Sequence, residues 1–250
     1  MSESYFDEGH KVFDTNLQDV LKTIQQRFIQ IFNESAVKHG LGQINDESDI
    51  IRLDKEHHDV WVAAYDQLRY LPEIMGLANH PTIIEKANSC GVKFPVFCGR
   101  PIVRADIPND KEHDFPSHQD YVYNHGSLNS ITIWIPFQDV TVKMGALKVI
   151  PKSHLEGSVP VKDGLIVNPD LSKYVPMPMS FGQILVFSQF LHHKSGLNES
   201  DKIRFSLQLR YNDLSDDSWA SRHFYVNQTI SEKTRDIDFE TKFPVMTAEN

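Results

Sequence analysis

The sequence predicts a mainly β fold, a jelly-roll sandwich or small barrel, braced by helices from its N-terminal third. Two patterns support this: apolar residues recur at helical spacing before about residue 93, and short runs rich in Val, Ile and Phe between turn residues follow it. A length of 250 residues suits one domain, and no repeat or linker interrupts the chain. We predict a single domain with a helical region at 1–92, a β core at 93–213 and a C-terminal extension at 214–250.

The helical region contains three candidate helices. The first has apolar residues at helical spacing over 17–32 and ends at His39-Gly40, where Gly can adopt a left-handed conformation. The second covers about 54–75, and Pro81 is suited to the first turn of the third. The β core contains six candidate strands, at 96–107, 117–123, 130–136, 146–151, 183–188 and 204–211.

Composition narrows the functional classes. A formal net charge of -9 without clustered Lys and Arg argues against binding nucleic acid, and no apolar run approaches the ~20 residues of a membrane span. The acidic start lacks the features of a secretory signal. Cys90 and Cys98 are too few for a disulfide framework or a cysteine-rich zinc site. A cytoplasmic protein that acts on a small molecule is therefore expected.

The segment His118-Gln119-Asp120 is the strongest candidate for chemistry. Residues i and i+2 of a strand point to the same face, so His118 and Asp120 can converge on one ion. With a second histidine from further along the chain they would form the 2-His-1-carboxylate triad of non-heme iron(II) enzymes. The same spacing occurs at His57 and Asp59, but in a helix these positions are about 200° apart and cannot easily bind one ion.

A second segment, at 187–210, supports this interpretation. Strand alternation over 203–210 places Arg204, Ser206, Gln208 and Arg210 on one polar face. If that face lines a barrel interior, Arg204 would be a partly buried cation that needs an anionic partner. The carboxylate of a bound 2-oxo acid would satisfy it in bidentate geometry.

Residues of about 95–213 resemble the phytanoyl-CoA dioxygenase family of iron(II)- and 2-oxoglutarate-dependent oxygenases. The resemblance rests on five features in the same order and spacing: His118-Gln119-Asp120, Trp134, the run 145–154, His193-Lys194-Ser195-Gly196, and Arg204. It implies a double-stranded β-helix, a cupin-like form of the jelly roll. It also implies that His118, Asp120 and His193, but not His192, bind the iron.

The resemblance further implies how the cosubstrates are used. Arg204 and Ser195 would hold the distal carboxylate of 2-oxoglutarate, and Trp134 and Gln119 would lie beside it, although core packing explains Trp134 nearly as well. Oxygen would be the second cosubstrate, and succinate would be released. Related halogenases replace the carboxylate ligand by a small residue, so Asp120 favours hydroxylation.

The substrate is not specified by these patterns. Four residues that follow the metal motif are candidates for lining its pocket: Tyr121, Tyr123, Asn124 and His125. Arg104 and Arg210 are candidate anchors for an acidic substrate, although paired surface charges would explain them equally well. Two alternatives stay open. One is a metal-dependent isomerase, or an oxygenase that uses no 2-oxo acid and needs no arginine at position 204. The other is a non-catalytic metal-binding module.

Overall fold

The computed structural model describes residues 4–111 and 114–227 and forms the predicted β core with an N-terminal helical layer. Seven helices are formed by the described residues: α1 (Tyr5–Glu8), α2 (Gln18–Lys38), α3 (Glu47–Glu56), α4 (His58–Leu68), α5 (Pro72–Ala78), α6 (Pro81–Ser89) and α7 (Ser218–Ser221). The strands are β1 (His10–Asp14), β2 (Pro95–Asp106), β3 (Ser130–Pro136), β4 (Lys148–Val149), β5 (Val161–Lys162), β6 (Leu165–Ile166), β7 (Val175–Pro176), β8 (Gln183–Ser188), β9 (His193–Lys194) and β10 (Arg204–Asp213).

The strands form one large and two small antiparallel sheets. The large sheet has the order β1-β8-β3-β10-β2, and a smaller sheet has the order β7-β4-β9. A further pair joins β5 to β6. Within the large sheet, β10 lies between β2 and β3, with Gln208 opposite both Ile102 and Trp134. This sheet-rich architecture with N-terminal helices confirms the predicted fold class.

Helix α2 packs its apolar face onto the large sheet. Phe28 lies at the centre of this contact, with its ring 5.0 Å from that of Phe137 and 5.5 Å from that of Phe205. Buried tyrosine hydroxyls tie the layers together, since Tyr65 donates to the carbonyl of Val103 and Tyr211 donates to the carbonyl of Ala78. The helices therefore brace the outer face of the sheet, as expected, and leave its inner face to the site. No helix formed by 4–111 and 114–227 is long and apolar enough to cross a membrane.

The predicted ending of α2 is confirmed. Gly40 adopts a φ of 73°, and the N–H groups of Gly40 and Leu41 donate to the carbonyls of Val37 and Ala36. This is the hydrogen-bond pattern of a Schellman motif. The predicted start of α6 at Pro81 is also confirmed.

Three sequence predictions need correction. The single helix expected at 54–75 is instead α3, α4 and α5, because His57 leaves the helical conformation and Pro72 begins a new helix. The strand expected at 146–151 contains only Lys148–Val149. The strand expected at 117–123 is wrong, since His118 makes an isolated bridge and Asp120 begins a 3₁₀ turn, Asp120–Val122. The edge strand β1 was not anticipated.

Two chain segments cross closely at Gly145 and Gly196. Gly145 has a φ of 79°, and a Cβ there would lie 2.4 Å from the Gly196 carbonyl oxygen and 2.8 Å from Nη1 of Arg204. Left-handed backbone costs a non-glycine residue roughly 1–2 kcal/mol. Only glycine fits this crossing without displacement of its neighbours.

Replacing Gly145 with alanine is therefore expected to lower the free energy of unfolding by roughly 1–3 kcal/mol beyond the conformational cost, because backbone must move. Gly42→Ala is the matched control, since Gly42 has a φ of 86° but no atom within 4 Å of the added Cβ. Denaturant unfolding of both variants measures the difference. Equal losses would show that the crossing is not tightly packed.

Candidate metal centre

Three buried side chains that could hold a metal ion converge where the two main sheets meet. The donor atoms of His118, Asp120 and His193 all lie within 4.8 Å of one another. His118 is 6% exposed, and Asp120 and His193 are fully buried. Among the described residues this is the one group of three or more His, Cys, Asp and Glu side chains with such geometry.

Backbone pairing positions the two histidines. His118 and His193 face each other across an antiparallel bridge and exchange N–H···O hydrogen bonds of 3.0 and 3.1 Å. His193 also pairs with Val149 on its other side, through β9 and β4. The two imidazole rings lie 4.0 Å apart as a result. Residues 75 positions apart in sequence are therefore fixed by main-chain contacts rather than by side chains alone.

The local conformation at Gln119 accounts for the His-x-Asp spacing. Gln119 is extended, with φ -118° and ψ 139°, so His118 and Asp120 project to the same side although no continuous strand forms. Gln119 points the other way, where its amide donates to the carbonyls of Gly157 and Phe190 and accepts from the N–H of Val159. The alternation that the sequence suggested is therefore present, but only over three residues.

Hydrogen bonds orient each donor group. Nδ1 of His118 lies 2.8 Å from the Pro116 carbonyl, and Nδ1 of His193 lies 3.0 Å from the Leu191 carbonyl. A carbonyl can only accept, so each Nδ1 carries the proton and each Nε2 keeps a lone pair. The Nε2 atoms lie 3.7 Å (His118) and 3.9 Å (His193) from Oδ1 of Asp120.

The carboxylate of Asp120 is held by two neighbours. Thr132 donates its hydroxyl to Oδ2, and Nη2 of Arg210 donates to Oδ1 at 2.6 Å. Burial would raise the pKa of the Asp120 carboxyl, but the adjacent Arg210 guanidinium outweighs it and, with the Thr132 hydrogen bond, holds that pKa well below its usual range. Burial lowers the pKa of His118 and of His193. The centre therefore presents one anion and two neutral imidazoles at neutral pH.

These residues fit a divalent transition metal. Nε2 of His193 is buried and has no hydrogen-bond partner among the described residues, which is costly unless the atom serves as a ligand. Two imidazoles and one carboxylate are the donor set of non-heme iron(II) sites with open positions. Hydrogen bonds from Nδ1 to carbonyls are the usual support of metal-binding histidines.

A cavity of about 200 Å³ opens beside the centre. Six of its lining residues were candidates from the sequence: Arg104, His118, Tyr123, His193, Ser195 and Arg210. Four were not: Ile102, Phe115, Leu147 and Gln208. Gln208 could have been found, because it lies between Arg204 and Arg210 on the polar face of the same strand.

The other candidates do not line this cavity. Trp134 is 2% exposed and packs in an apolar cluster with Val149 and Leu185. Tyr121 stacks on Phe190, and its ring centroid is 5.3 Å away. Asn124, His125 and Gln119 are likewise buried in contacts outside the cavity. Their predicted contacts with substrate or cosubstrate stay predictions.

Arg204 belongs to a buried ion network at the start of β10, the strand that also carries Arg210. Its Nε and Nη2 donate to Oδ2 of Asp106, and its Nη1 donates to the Gly196 carbonyl. Arg104 donates to Oδ1 of the same carboxylate. The two arginines together lower the pKa of the Asp106 carboxyl despite its burial, which acts to raise it. Two guanidinium groups therefore donate to one buried carboxylate.

Comparison with known proteins agrees with the fold. The family model for phytanoyl-CoA dioxygenase (PhyH) matches residues 14–206. A methylphosphonate hydroxylase from Gimesia maris is 31% identical over 113 residues, a match that covers only 44% of this chain and 44% of that protein.

Several solved structures share the fold at low sequence identity. The apo form of EctD from S. alaskensis has a TM-score of 0.61 at 17% identity, covering 85% of this chain and 76% of its own. The nickel complex of the non-heme monooxygenase ThoJ has a TM-score of 0.59 at 17% identity, covering 84% and 76%. The epimerase SnoN, solved with Fe³⁺, alpha-ketoglutarate and a nogalamycin, has a TM-score of 0.57 at 16% identity, covering 83% and 80%. Because the family model matches residues 14–206, well over half of the chain, the chain belongs to the phytanoyl-CoA dioxygenase family.

Proposed function

We propose that the protein is an iron(II)- and 2-oxoglutarate-dependent dioxygenase that hydroxylates a small organic molecule and releases succinate and carbon dioxide. The convergence of His118, Asp120 and His193, with Nε2 of His193 buried and unpartnered among the described residues, carries the proposal. Bound iron(II) would supply the activation of oxygen. One oxygen atom of O₂ would enter succinate and the other would enter the hydroxylated product, which balances the reaction.

The roles of the surrounding residues follow from their contacts. Thr132 and Arg210 fix the orientation of the Asp120 carboxylate, and the carbonyls of Pro116 and Leu191 fix the tautomers of the histidines. Phe115 packs edge to face on His118, with the ring centroids 4.5 Å apart, and shields it from solvent. The protein would thus preorganise the ligands and limit access of water to the site.

We assign the distal carboxylate of 2-oxoglutarate to the end of the cavity formed by Ser195 and Arg104, with Arg204 behind them. The hydroxyl of Ser195 has no hydrogen-bond partner among the described residues and lines the cavity. Ser195 and Arg104 both line this end of the cavity, where their side chains can donate to a carboxylate. The predicted role of Arg204 is therefore shared with Arg104.

A substrate screen should include phosphonates, because the relative from Gimesia maris is a methylphosphonate hydroxylase. That match spans less than half of the relative, so the substrate itself stays open. Intact Asp120 supports hydroxylation rather than halogenation.

Anaerobic addition of iron(II) and 2-oxoglutarate to the wild-type protein is expected to produce a weak visible charge-transfer band. The band requires both the metal and a chelating 2-oxo acid, so it tests both parts of the proposal. His118→Ala should eliminate it, since two protein ligands remain. Absence of the band in metal-loaded wild-type protein would contradict the use of 2-oxoglutarate and favour an oxygenase or isomerase without it.

A further inference from the structure

Arg210 lies between the metal centre and the cavity, and most of its hydrogen-bonding capacity is unused. Its Nη2 donates to Oδ1 of Asp120, and its guanidinium lies 5.8 Å from the ring centroid of Tyr123. Its Nε is buried without a hydrogen-bond partner among residues 4–111 and 114–227, and no acceptor for Nη1 occurs within the same part of the chain. A guanidinium carries five donor hydrogens in a planar fork, so several remain for a ligand.

The neighbouring wall of the cavity also carries a side chain with unused hydrogen-bond donors and acceptors. Gln208 precedes Arg210 by two residues on β10, lines the cavity, and makes no side-chain hydrogen bond with a described residue. Ile102, Leu147 and Phe115 supply the apolar part of the lining. The cavity therefore offers one cationic fork and one amide at its metal end, with apolar surface around them.

The guanidinium of Arg210 is separate from the ion network of Arg104, Arg204 and Asp106, which is assigned to 2-oxoglutarate. Arg204 lies six residues before Arg210 on β10, which is roughly 20 Å of extended strand. Asp106 partners Arg204 and Arg104, whereas the acidic contact of Arg210 is the proposed metal ligand Asp120. When Asp120 binds a dication, its negative charge is largely satisfied by the metal. Arg210 is then a partly buried cation that needs another anion.

We propose that Arg210, assisted by Gln208, binds an acidic group of the substrate, so that the substrate class is small carboxylates or phosphonates. Carboxylate and phosphonate both accept the paired N–H donors of a guanidinium. Because Arg210 directly contacts the ligand Asp120, an anion on Arg210 lies next to the metal. The carbon that is oxidised is then close to the acidic group. The inference rests on the proposed function and specifies its substrate.

The test compares acids with neutral analogues of the same shape. Wild-type protein with iron(II) and 2-oxoglutarate is titrated without oxygen with unbranched alkylphosphonates and alkanoates, and separately with their dimethyl esters and amides. Perturbation of the charge-transfer band reports binding, and succinate release in air reports turnover. At least one acid series is expected to bind and to accelerate succinate release, and the two series distinguish phosphonate from carboxylate. Equal responses to acids and neutral analogues, or no response to any acid, would overturn the inference.

Variants separate this role from metal and cosubstrate binding. Arg210→Gln is expected to weaken acid binding by roughly tenfold to 100-fold, the usual effect of losing hydrogen bonds to a charged group. Arg210→Lys keeps the charge beside Asp120 but loses the fork, so an intermediate loss is expected. Arg52→Gln, which removes an exposed arginine paired with Asp49 on α3, is the matched control and should bind the acid normally.

The remaining outcomes distinguish failure of this inference from failure of the proposed function. If Arg210→Gln weakens 2-oxoglutarate binding while acid binding is unchanged, Arg210 serves the cosubstrate and the inference is overturned. If the wild-type band does not form, the proposed function itself fails. If the band forms in both Arg210 variants and acid binding is lost, the site is intact and the inference is supported.

Discussion

Replacing His193 with alanine is expected to abolish tight metal binding, whereas replacing its neighbour His192 with alanine is expected to preserve it. Nε2 of His193 faces Oδ1 of Asp120 at 3.9 Å. His192 instead lines a separate cavity with Ile150 and Glu156. Loss of a ligand should cost more than the roughly 10- to 100-fold in affinity that loss of a ligand's hydrogen-bond partner costs. Calorimetric titration with Co²⁺ under anaerobic conditions measures this effect.

The pair is a matched comparison because the two side chains are identical, adjacent in sequence and both buried. A destabilised fold would affect both variants, so thermal unfolding of each provides the control. If His192→Ala loses the metal and His193→Ala keeps it, the assignment of ligands is reversed. If both bind normally, His118 and Asp120 do not need a second histidine.

Replacing Asp106 with alanine is expected to lower the free energy of unfolding by roughly 3–5 kcal/mol, the range seen when one partner of a buried ion pair is removed. Asp106 is 5% exposed and partners both Arg104 and Arg204. Its loss leaves the guanidinium groups of Arg104 and Arg204 without the buried carboxylate that they share. Equilibrium unfolding in urea measures the change.

Asp66→Ala provides the contrast, because Asp66 pairs with Arg69 on the helix surface at high exposure. Surface pairs of this kind contribute little to stability. Asp66→Ala should therefore leave the unfolding midpoint almost unchanged. An equally small effect of Asp106→Ala would mean that water or rearranged side chains replace the carboxylate in its contacts with the two arginines.

The sequence was sufficient to predict features that depend on residues near one another in the chain. Helical periodicity and Gly40 predicted α2 and its ending, and strands β3 and β8 were predicted with their observed bounds. The His57–Asp59 spacing was set aside because both residues were expected within one helix, but His57 lies at the junction of α3 and α4 and is not helical. Spacing within three residues was also enough to predict that His118 and Asp120 project together.

Features that depend on distant contacts were not predictable from pattern. Nothing local indicates that Asp106 would share its carboxylate between Arg104 and Arg204, because the register of β2 against β10 creates that network. The hydroxyl of Thr132 reaches Asp120 for the same reason, through the pairing of β3 with β10 opposite Arg210. Strand β1 was missed because five residues with no clear alternation become a strand only beside β8.

The order β1-β8-β3-β10-β2 has a consequence for how the chain folds during synthesis. No two neighbouring strands of this sheet are joined by a short loop, so no local hairpin can nucleate it. Trp134 can pair with Leu185, and Asp106 with Arg204, only after the later strands have been synthesised. Long-range pairing of this kind is slow, because chain entropy is lost before contacts compensate for it. The apolar outer faces of β2 and β3 therefore leave the ribosome well before β10, and the early helix α2 is the element available to cover them.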